Sequence, residues 1–332
     1  MDTLLLLTVL IVFFALAFDF INGFHDTANA IATSVSTKAL KPRVAIVLAA
    51  SMNFIGAITF TGVAKTITKD IVDPFAIENG SVVILAALLS AIAWNLITWY
   101  YGIPSSSSHA LIGSIAGAAI SAAGFGILNY SGFIKILEAL ILSPFIALAV
   151  GFLMMSLFKV IFKNTNLYKT NKGFRTFQIF TAALQSFTHG TNDAQKAMGI
   201  ITMALIAGGF TTSTDIPLWV RISAATAMGI GTSIGGWKII KTVGGKIMKI
   251  RPINGAAADL SSALIIFGAT YIHLPVSTTH VISSAIMGVG SAQRVKGVKW
   301  GVARKIVLTW VITLPISALL AALIYQIINL FF

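Results

Sequence analysis

The sequence predicts an all-α polytopic membrane protein. It is read as two inverted-topology repeats, with broken or half helices meeting near the bilayer midplane. Three observations carry this expectation. Hydrophobic residues make up 57% of the 332-residue chain and charged residues only 10%, where soluble domains carry about 25% charged residues. Apolar stretches recur at 3–20, 43–64, 82–101, 134–162, 174–208, 218–240, 254–272 and 300–331, and a bilayer span needs about 20 such residues. Finally, two polar motifs break into this apolar background, and each occurs twice.

The first stretch lacks a cationic start and a small-residue cleavage site, so it is expected to be retained as a span. The net charge of +13 would suggest nucleic acid in a soluble protein. Here it fits cytoplasmic loops, which collect Lys and Arg, and no nucleic-acid partner is expected. With no cysteine in the chain, disulfides, thiolate metal sites and thiol nucleophiles are excluded.

Basic residues cluster at Lys38, Lys41 and Arg43; at Lys159, Lys163, Lys169, Lys172 and Arg175; at Lys238, Lys241, Lys246, Lys249 and Arg251; and at Arg294, Lys296, Lys299, Arg304 and Lys305. Placing these inside leads the chain from an outside N-terminus through five crossings to a linker at 163–173. Five more crossings return it to an outside C-terminus. An odd number of crossings inverts the second half relative to the first. The expected division is a first repeat over 1–162, a cytoplasmic linker over 163–173 and a second repeat over 174–332, in the plasma membrane.

The halves also share sequence. "GFHDTANAIAT" (23–33) is answered by "GTNDAQKAMGI" (190–200), and "IPSSSSHALIGSIAGAA" (103–119) by "LPVSTTHVISSAIMGVG" (274–290). The offsets are 167 and 171 residues. Inverted repeats are common in secondary transporters, with the binding site where broken helices meet. Segments 1–37 and 174–208 are too long for single spans, so each is expected to break into two helical pieces at its polar motif.

The chemistry follows from what the motifs place in the membrane. A carboxylate at the bilayer centre costs roughly 2.5–3.5 kcal/mol on insertion scales, and Asp26 and Asp193 both incur it. A bland alternative exists, in which Asp26 caps a helix or pairs with His25. Asp19 and Asp259 have no match in the other repeat and read as structural. Pro104 and Pro275 suit the first turn of a helix, with Ser and Thr as caps. Helix N-termini attract anions by their dipole and free N–H groups. Ser105, Ser106, Ser107, Ser108, Ser277, Thr278 and Thr279, with Asn192, are therefore candidates to hold a tetrahedral oxyanion. Ordinary capping explains one or two of these hydroxyls, not the whole row.

Asp26 and Asp193 are candidates both to accept a hydrogen bond from a protonated anion and to bind a coupling cation. Asn22, Thr27 and Asn29 are candidates beside them, with Na+ at Asp26 and Asp193 as one option. His25, His109, His280, Gln195 and Lys196 are candidate modulators. Lys196 lies three residues after Asp193 and shares its helix face. It either holds Asp193 ionised or touches the anion, and the first is preferred because an unpaired buried lysine is costly.

These residues resemble the PiT family of inorganic phosphate transporters, in its bacterial low-affinity permease branch. The family's G-x-N-D-x-x-N signature appears as "GFHDTAN" (23–29) and "GTNDAQK" (190–196), and both proline–hydroxyl–histidine segments accompany it. The resemblance covers essentially the whole chain. His25 stands where the signature has Asn, and Lys196 stands where its second copy has its last Asn. The resemblance implies import of inorganic phosphate by cation symport and alternating access, with Na+ or H+ as coupling ion. The family also includes sulfate carriers and metal-phosphate/proton symporters. Expected partners are phosphate, the lipid bilayer and, as a further candidate, a second copy of the chain. No cofactor and no enzyme activity are expected. No GxxxxGK[ST] sequence appears, which argues against ATP-driven transport. The rival readings are an anion channel and an intramembrane serine hydrolase using Ser105–Ser108 and His109, a pair that rarely meets correctly on one helix start.

Overall fold

A computed structural model describes residues 3–72 and 79–331, apart from the side chains of Thr27 and Leu167. The described residues form helices throughout: α1 (Thr3–Ser36), α2 (Pro42–Thr59), α3 (Gly62–Asp70), α4 (Gly80–Tyr101), α5 (Ser107–Ala123), α6 (Tyr130–Ile161), α7 (Leu167–Ala207), α8 (Leu218–Ile234), α9 (Trp237–Lys241), α10 (Pro252–Tyr271), α11 (Thr278–Arg294) and α12 (Trp300–Ile328). A π-helical turn, Thr242–Lys246, continues α9. An isolated antiparallel bridge joins Val72 to Leu128.

Six of these helices are long and apolar enough to cross a bilayer by length and composition. Their apolar side chains face outward as well as inward. Phe145, Leu153, Val311 and Leu319 are each more than 60% exposed, while Asp26, Asn29, Asp193 and Lys196 are buried. Apolar surface facing outward around a polar interior is the arrangement a lipid environment requires, because no water is there to hydrate polar groups.

The order of elements repeats. Helices α1, α2–α3, α4, α5 and α6 are followed by α7, α8–α9, α10, α11 and α12 in the same sequence of lengths and breaks. The tight packing repeats too. Gly117 of α5 lies against the backbone of Ala318 in α12, and Gly288 of α11 lies against the backbone of Leu148 in α6. Residues 162–166 connect the halves; Leu167 already begins α7, so much of the expected linker is helical.

Two expectations about the breaks are corrected. First, α1 and α7 run unbroken through their polar motifs, over 34 and 41 residues. Gly23 and Gly190 do not end a helix. They let neighbouring backbones approach: a Cβ at Gly23 would strike Met228 and Thr232, and one at Gly190 would strike Asn53. Second, Pro104 and Pro275 do not open helices. They lie in non-helical segments at 103–106 and 274–277, and the helices begin three residues later at Ser107 and Thr278.

These two segments position the site. α4 ends at Gly102, whose φ of 65° is left-handed. Past the end of α10, His273 adopts φ 62°, an uncommon conformation for a side-chain-bearing residue. From each turn four residues carry the chain back into the protein, where α5 and α11 start side by side. A short element of the opposite repeat covers each turn. Thr242 donates to the carbonyl of Gly102 at 3.1 Å, and Thr66 of α3 donates to the carbonyl of His273 at 2.7 Å.

Several connections can be assigned to sides of the bundle. Asn79 bonds to Asn329 at 3.2 Å, and Lys65 pairs with Asp215 at 2.5 Å. α7, at about 1.5 Å per residue, carries Lys169 far from this group. Single cysteines at Asn79 and Thr212 should therefore react with an impermeant maleimide from one membrane face, and a cysteine at Lys169 only from the other. Labelling of all three from one face would contradict the fold.

A carboxylate in each repeat held by the start of a half helix

Asp26 and Asp193 are 1% and 0% exposed. A carboxylate shut away from water must be met by donors or cations. The donors come from the starts of α5 and α11. Ser107 donates to Asp26 Oδ2 at 2.5 Å, and Thr278 donates to Asp193 Oδ2 at 2.9 Å. The two units match residue for residue across the repeats.

The match extends to the residues before each carboxylate. His25 Nδ1 lies 2.7 Å from Asp26 Oδ1, while its Nε2 meets Thr98 Oγ1 at 3.1 Å and Ser105 Oγ at 3.4 Å. Ser105 in turn donates to Thr98 at 2.7 Å. In the second repeat Asn192 donates to Thr270 Oγ1 at 3.1 Å and to the Leu274 carbonyl at 3.2 Å, and accepts from Val276 N–H at 3.2 Å. The histidine and asparagine thus do one job, tying the carboxylate-bearing helix to the helix before the return segment.

The two units also touch each other. Thr279 of α11 donates to Asp26 Oδ1 at 3.0 Å and accepts from Asn29 Nδ2 at 2.8 Å. Ser108 of α5 donates to the carbonyl of Val276 at 2.8 Å. The two helix starts and both carboxylates therefore form one buried cluster at the junction of the repeats.

The repeats differ in what surrounds the carboxylate. Asp193 has a charged neighbour, Lys196, whose Nζ donates to Oδ1 at 2.5 Å. His189 Nε2 lies 3.1 Å from Oδ2, and its other nitrogen meets Asn53 Oδ1 at 3.1 Å. At the matching place Asp26 has Asn29. The side-chain oxygens of Asn22, Asn29 and Asp19, all on α1, are buried with no hydrogen-bond donor among the described residues. The positions 19, 22, 26 and 29 fall on one face of the helix.

Ser106 and Ser277 serve as N-caps, accepting from the backbone N–H of His109 at 3.1 Å and of His280 at 3.2 Å. For these two residues the bland capping role is realised. Ser106 Oγ also lies 2.9 Å from His109 Nδ1, closer than expected for neighbours on one helix start. The His109 ring packs on that of His280, 4.5 Å away, and His280 stacks on Trp310 at 4.1 Å. Among the described residues no carboxylate is bonded to His109, as a hydrolytic triad would need.

Gln195 accepts from Ala64 N–H at 3.0 Å and donates to the Thr191 carbonyl, joining α7 to α3 rather than to the carboxylates. The side chain of Thr27 lies outside the described residues. Asp259, expected to be structural, is held by Thr33 at 2.6 Å and Thr181 at 2.9 Å. Thr98, Thr270 and His189 were not singled out in the sequence. Thr98 and Thr270 stand 172 residues apart, nearly the spacing of the repeated motifs, and that spacing was the available signal. Nothing local marks His189.

Comparison with known proteins agrees with this internal symmetry. The model of a family described as "Phosphate transporter family" matches twice, over residues 22–172 and 161–321. A Bacillus subtilis protein named "Probable low-affinity inorganic phosphate transporter" is 76% identical over 333 residues, covering all of both chains. A Rhizobium meliloti protein of the same name is 45% identical, covering 94% of this chain and 93% of its own. A solved structure described as "The sodium-dependent phosphate transporter" is 25% identical with a TM-score of 0.88, covering 98% of this chain and all of that one.

The capping role separates Ser106 and Ser277 from their neighbours. Replacing an N-cap serine with alanine costs about 1 kcal/mol. Ser106→Ala and Ser277→Ala should lower the unfolding temperature in detergent, while Ser106→Thr, which keeps the hydroxyl acceptor without adding a buried charge, should largely restore it. Equal melting of all three with the unmodified protein would refute the capping role.

Proposed function

We propose, because this chain belongs to the phosphate transporter family, that it imports inorganic phosphate across the plasma membrane by symport with a cation, as a carrier rather than an enzyme. The observation that carries this reading is the junction of two matched carboxylate–hydroxyl units at the starts of α5 and α11. The basic clusters support a cytoplasmic 163–173 linker with both termini outside. Residues 1–162 and 174–332 act as the two inverted repeats.

The anion's site follows from helix geometry. The first N–H groups of a helix have no carbonyl within it, and the serine caps occupy only those of His109 and His280. The N–H groups of Ser107, Ser108, Thr278 and Thr279 are thereby left to face an anion, favoured by both helix dipoles. Their hydroxyls, now on the carboxylates, can turn toward phosphate oxygens. A phosphate near neutral pH keeps a proton on at least one oxygen, and a fixed carboxylate can accept it. Sulfate offers no such proton and meets only repulsion, so the buried carboxylate is left without its donor.

The cation belongs beside Asp26. Hard cations take oxygen ligands, and the unpaired oxygens of Asn22 and Asn29 flank that carboxylate. Na+ and H+ both fit this chemistry, and the solved relative is described as sodium-dependent. Asp193, already matched by Lys196, is free to discriminate between anions.

Alternating access is supported by where the covers lie. α3 closes the turn after α10 at one end of the bundle, and α9 with its π-turn closes the turn after α4 at the other. The cluster between them is buried from both sides. Withdrawal of one cover at a time would open the site to one face at a time.

Uptake into proteoliposomes tests the reading. Phosphate should be taken up in preference to sulfate, and labelled phosphate should exchange for unlabelled against a gradient, which a channel cannot do. Asp26→Asn should chiefly abolish cation dependence, and Asp193→Asn should narrow the preference over sulfate. Equal transport of sulfate, or identical behaviour of the two variants, would contradict this division. A hydrogen bond to a charged group contributes about 1.5–3 kcal/mol. Ser107→Ala and Thr278→Ala should therefore each weaken phosphate affinity about 10-fold or more, and unchanged affinity in both would remove the hydroxyls from the site.

A further inference from the structure

The two repeats place equivalent groups around Asp26 and Asp193: each carboxylate has a histidine beside it, His25 at 2.7 Å and His189 at 3.1 Å, and they differ in one permanently charged group. Ser107 and Thr278 hold the carboxylates, and Thr98 and Thr270 anchor the residues before them. Three residues on, at the same turn of the helix, the first repeat has Asn29 and the second has Lys196. Asn29 presents a buried oxygen with no donor. Lys196 presents an ammonium 2.5 Å from Asp193 Oδ1, with the side chain only 1% exposed. Where one repeat offers an oxygen ligand to a cation, the other has filled the place with a cation of its own.

The substitution removes an acceptor and adds a positive charge in the same space. A mobile cation approaching Asp193 would lose a ligand and meet an ammonium. A lysine this buried is stable only while paired, and among the described residues Asp193 is its one carboxylate within ion-pair distance. On the side of Asp26 no lysine or arginine among the described residues is bonded to the carboxylate, and oxygens of Asn22 and Asn29 stay without donors; Asp19, farther along α1, feels the charges of Lys196 and Asp193 instead.

We infer that Lys196 is the second repeat's resident cation: its ammonium holds the place at Asp193 that a mobile cation takes at Asp26, so each phosphate crosses with one mobile cation rather than two. The inference rests on the symport reading above. It assigns Lys196 a role in setting the coupling number, beyond neutralising a buried charge. Restoring the first repeat's residue should restore the second mobile site.

The number of coupled cations can be read at equilibrium. Purified protein in liposomes is clamped at zero membrane potential with valinomycin and equal potassium. The transported phosphate species is then measured on each side against imposed gradients of the driving cation. The logarithm of the accumulation ratio rises with the logarithm of the cation gradient at a slope equal to the coupling number. The unmodified protein should give a slope of one, and Lys196→Asn a slope of two, with a steeper, sigmoidal cation dependence of uptake. A slope of two in the unmodified protein would overturn the inference, as would a slope of one in Lys196→Asn. Should Lys196→Asn not fold, Lys196→Gln keeps the amide oxygen and serves the same comparison. If neither folds, the slope of the unmodified protein decides alone. Absence of any phosphate exchange would instead sink the transport reading, and the two failures are thus distinguishable.

Discussion

Asp26 and Asp193, the two carboxylates that match across the repeats, are buried inside a bundle whose outer surface is apolar, and each has to be matched without water. In a medium of low dielectric an unmatched charge is strongly unfavourable. This requirement explains why α5 and α11 begin deep in the protein rather than at its surface. Only a helix start brings hydroxyls and unpaired N–H groups together at one point. The extended segments 103–106 and 274–277 exist to deliver those starts, and proline suits them because neither needs an N–H at that place. The glycines follow from the same demand. Gly23 and Gly190 let α1 and α7 press against neighbouring backbones at the level of the carboxylates, which keeps water from the cluster.

The duplication makes one site out of two halves. Each repeat supplies a carboxylate and a helix start, but Thr279 reaches Asp26 and Ser108 reaches Val276, so neither unit is complete alone. The same exchange occurs at the covers, where α3 and the π-turn after α9 each close a turn of the opposite repeat. A movement that parts the repeats at one end would therefore disturb the cover and the cluster together. Exact symmetry would leave two equal cation places. The pairing of Lys196 with Asp193 makes the halves electrostatically unequal, and under the proposed function that difference lets one carboxylate serve the cation and the other the anion.

Much of this was legible in the sequence because it is written twice. The paired motifs pointed to two repeats and to the four hydroxyl and carboxylate partners that meet, while the basic clusters and the odd number of crossings carried the expectation of inversion. Their spacing would also have led to Thr98 and Thr270. Helix continuity at Gly23 and Gly190 was not legible, since a glycine that breaks a helix and one that admits a neighbouring backbone look alike until the neighbour is placed. The prolines misled for a related reason: fixed φ suits both a helix start and an extended segment. Ser106 and Ser277 could not be told from their neighbours, because which hydroxyl caps depends on where the helix begins. His189 and Asn53 come together over 136 residues, a contact that no local pattern announces.

The proposed function requires the two helix starts to share a single anion. A structure of the purified protein with phosphate and its driving cation, at a resolution that shows the anion, tests it most directly. One phosphate is expected between α5 and α11, within hydrogen-bond distance of N–H or hydroxyl groups from Ser107 or Ser108 and from Thr278 or Thr279. Phosphate bound to one repeat alone, or absent from this junction and present elsewhere in the bundle, would contradict it.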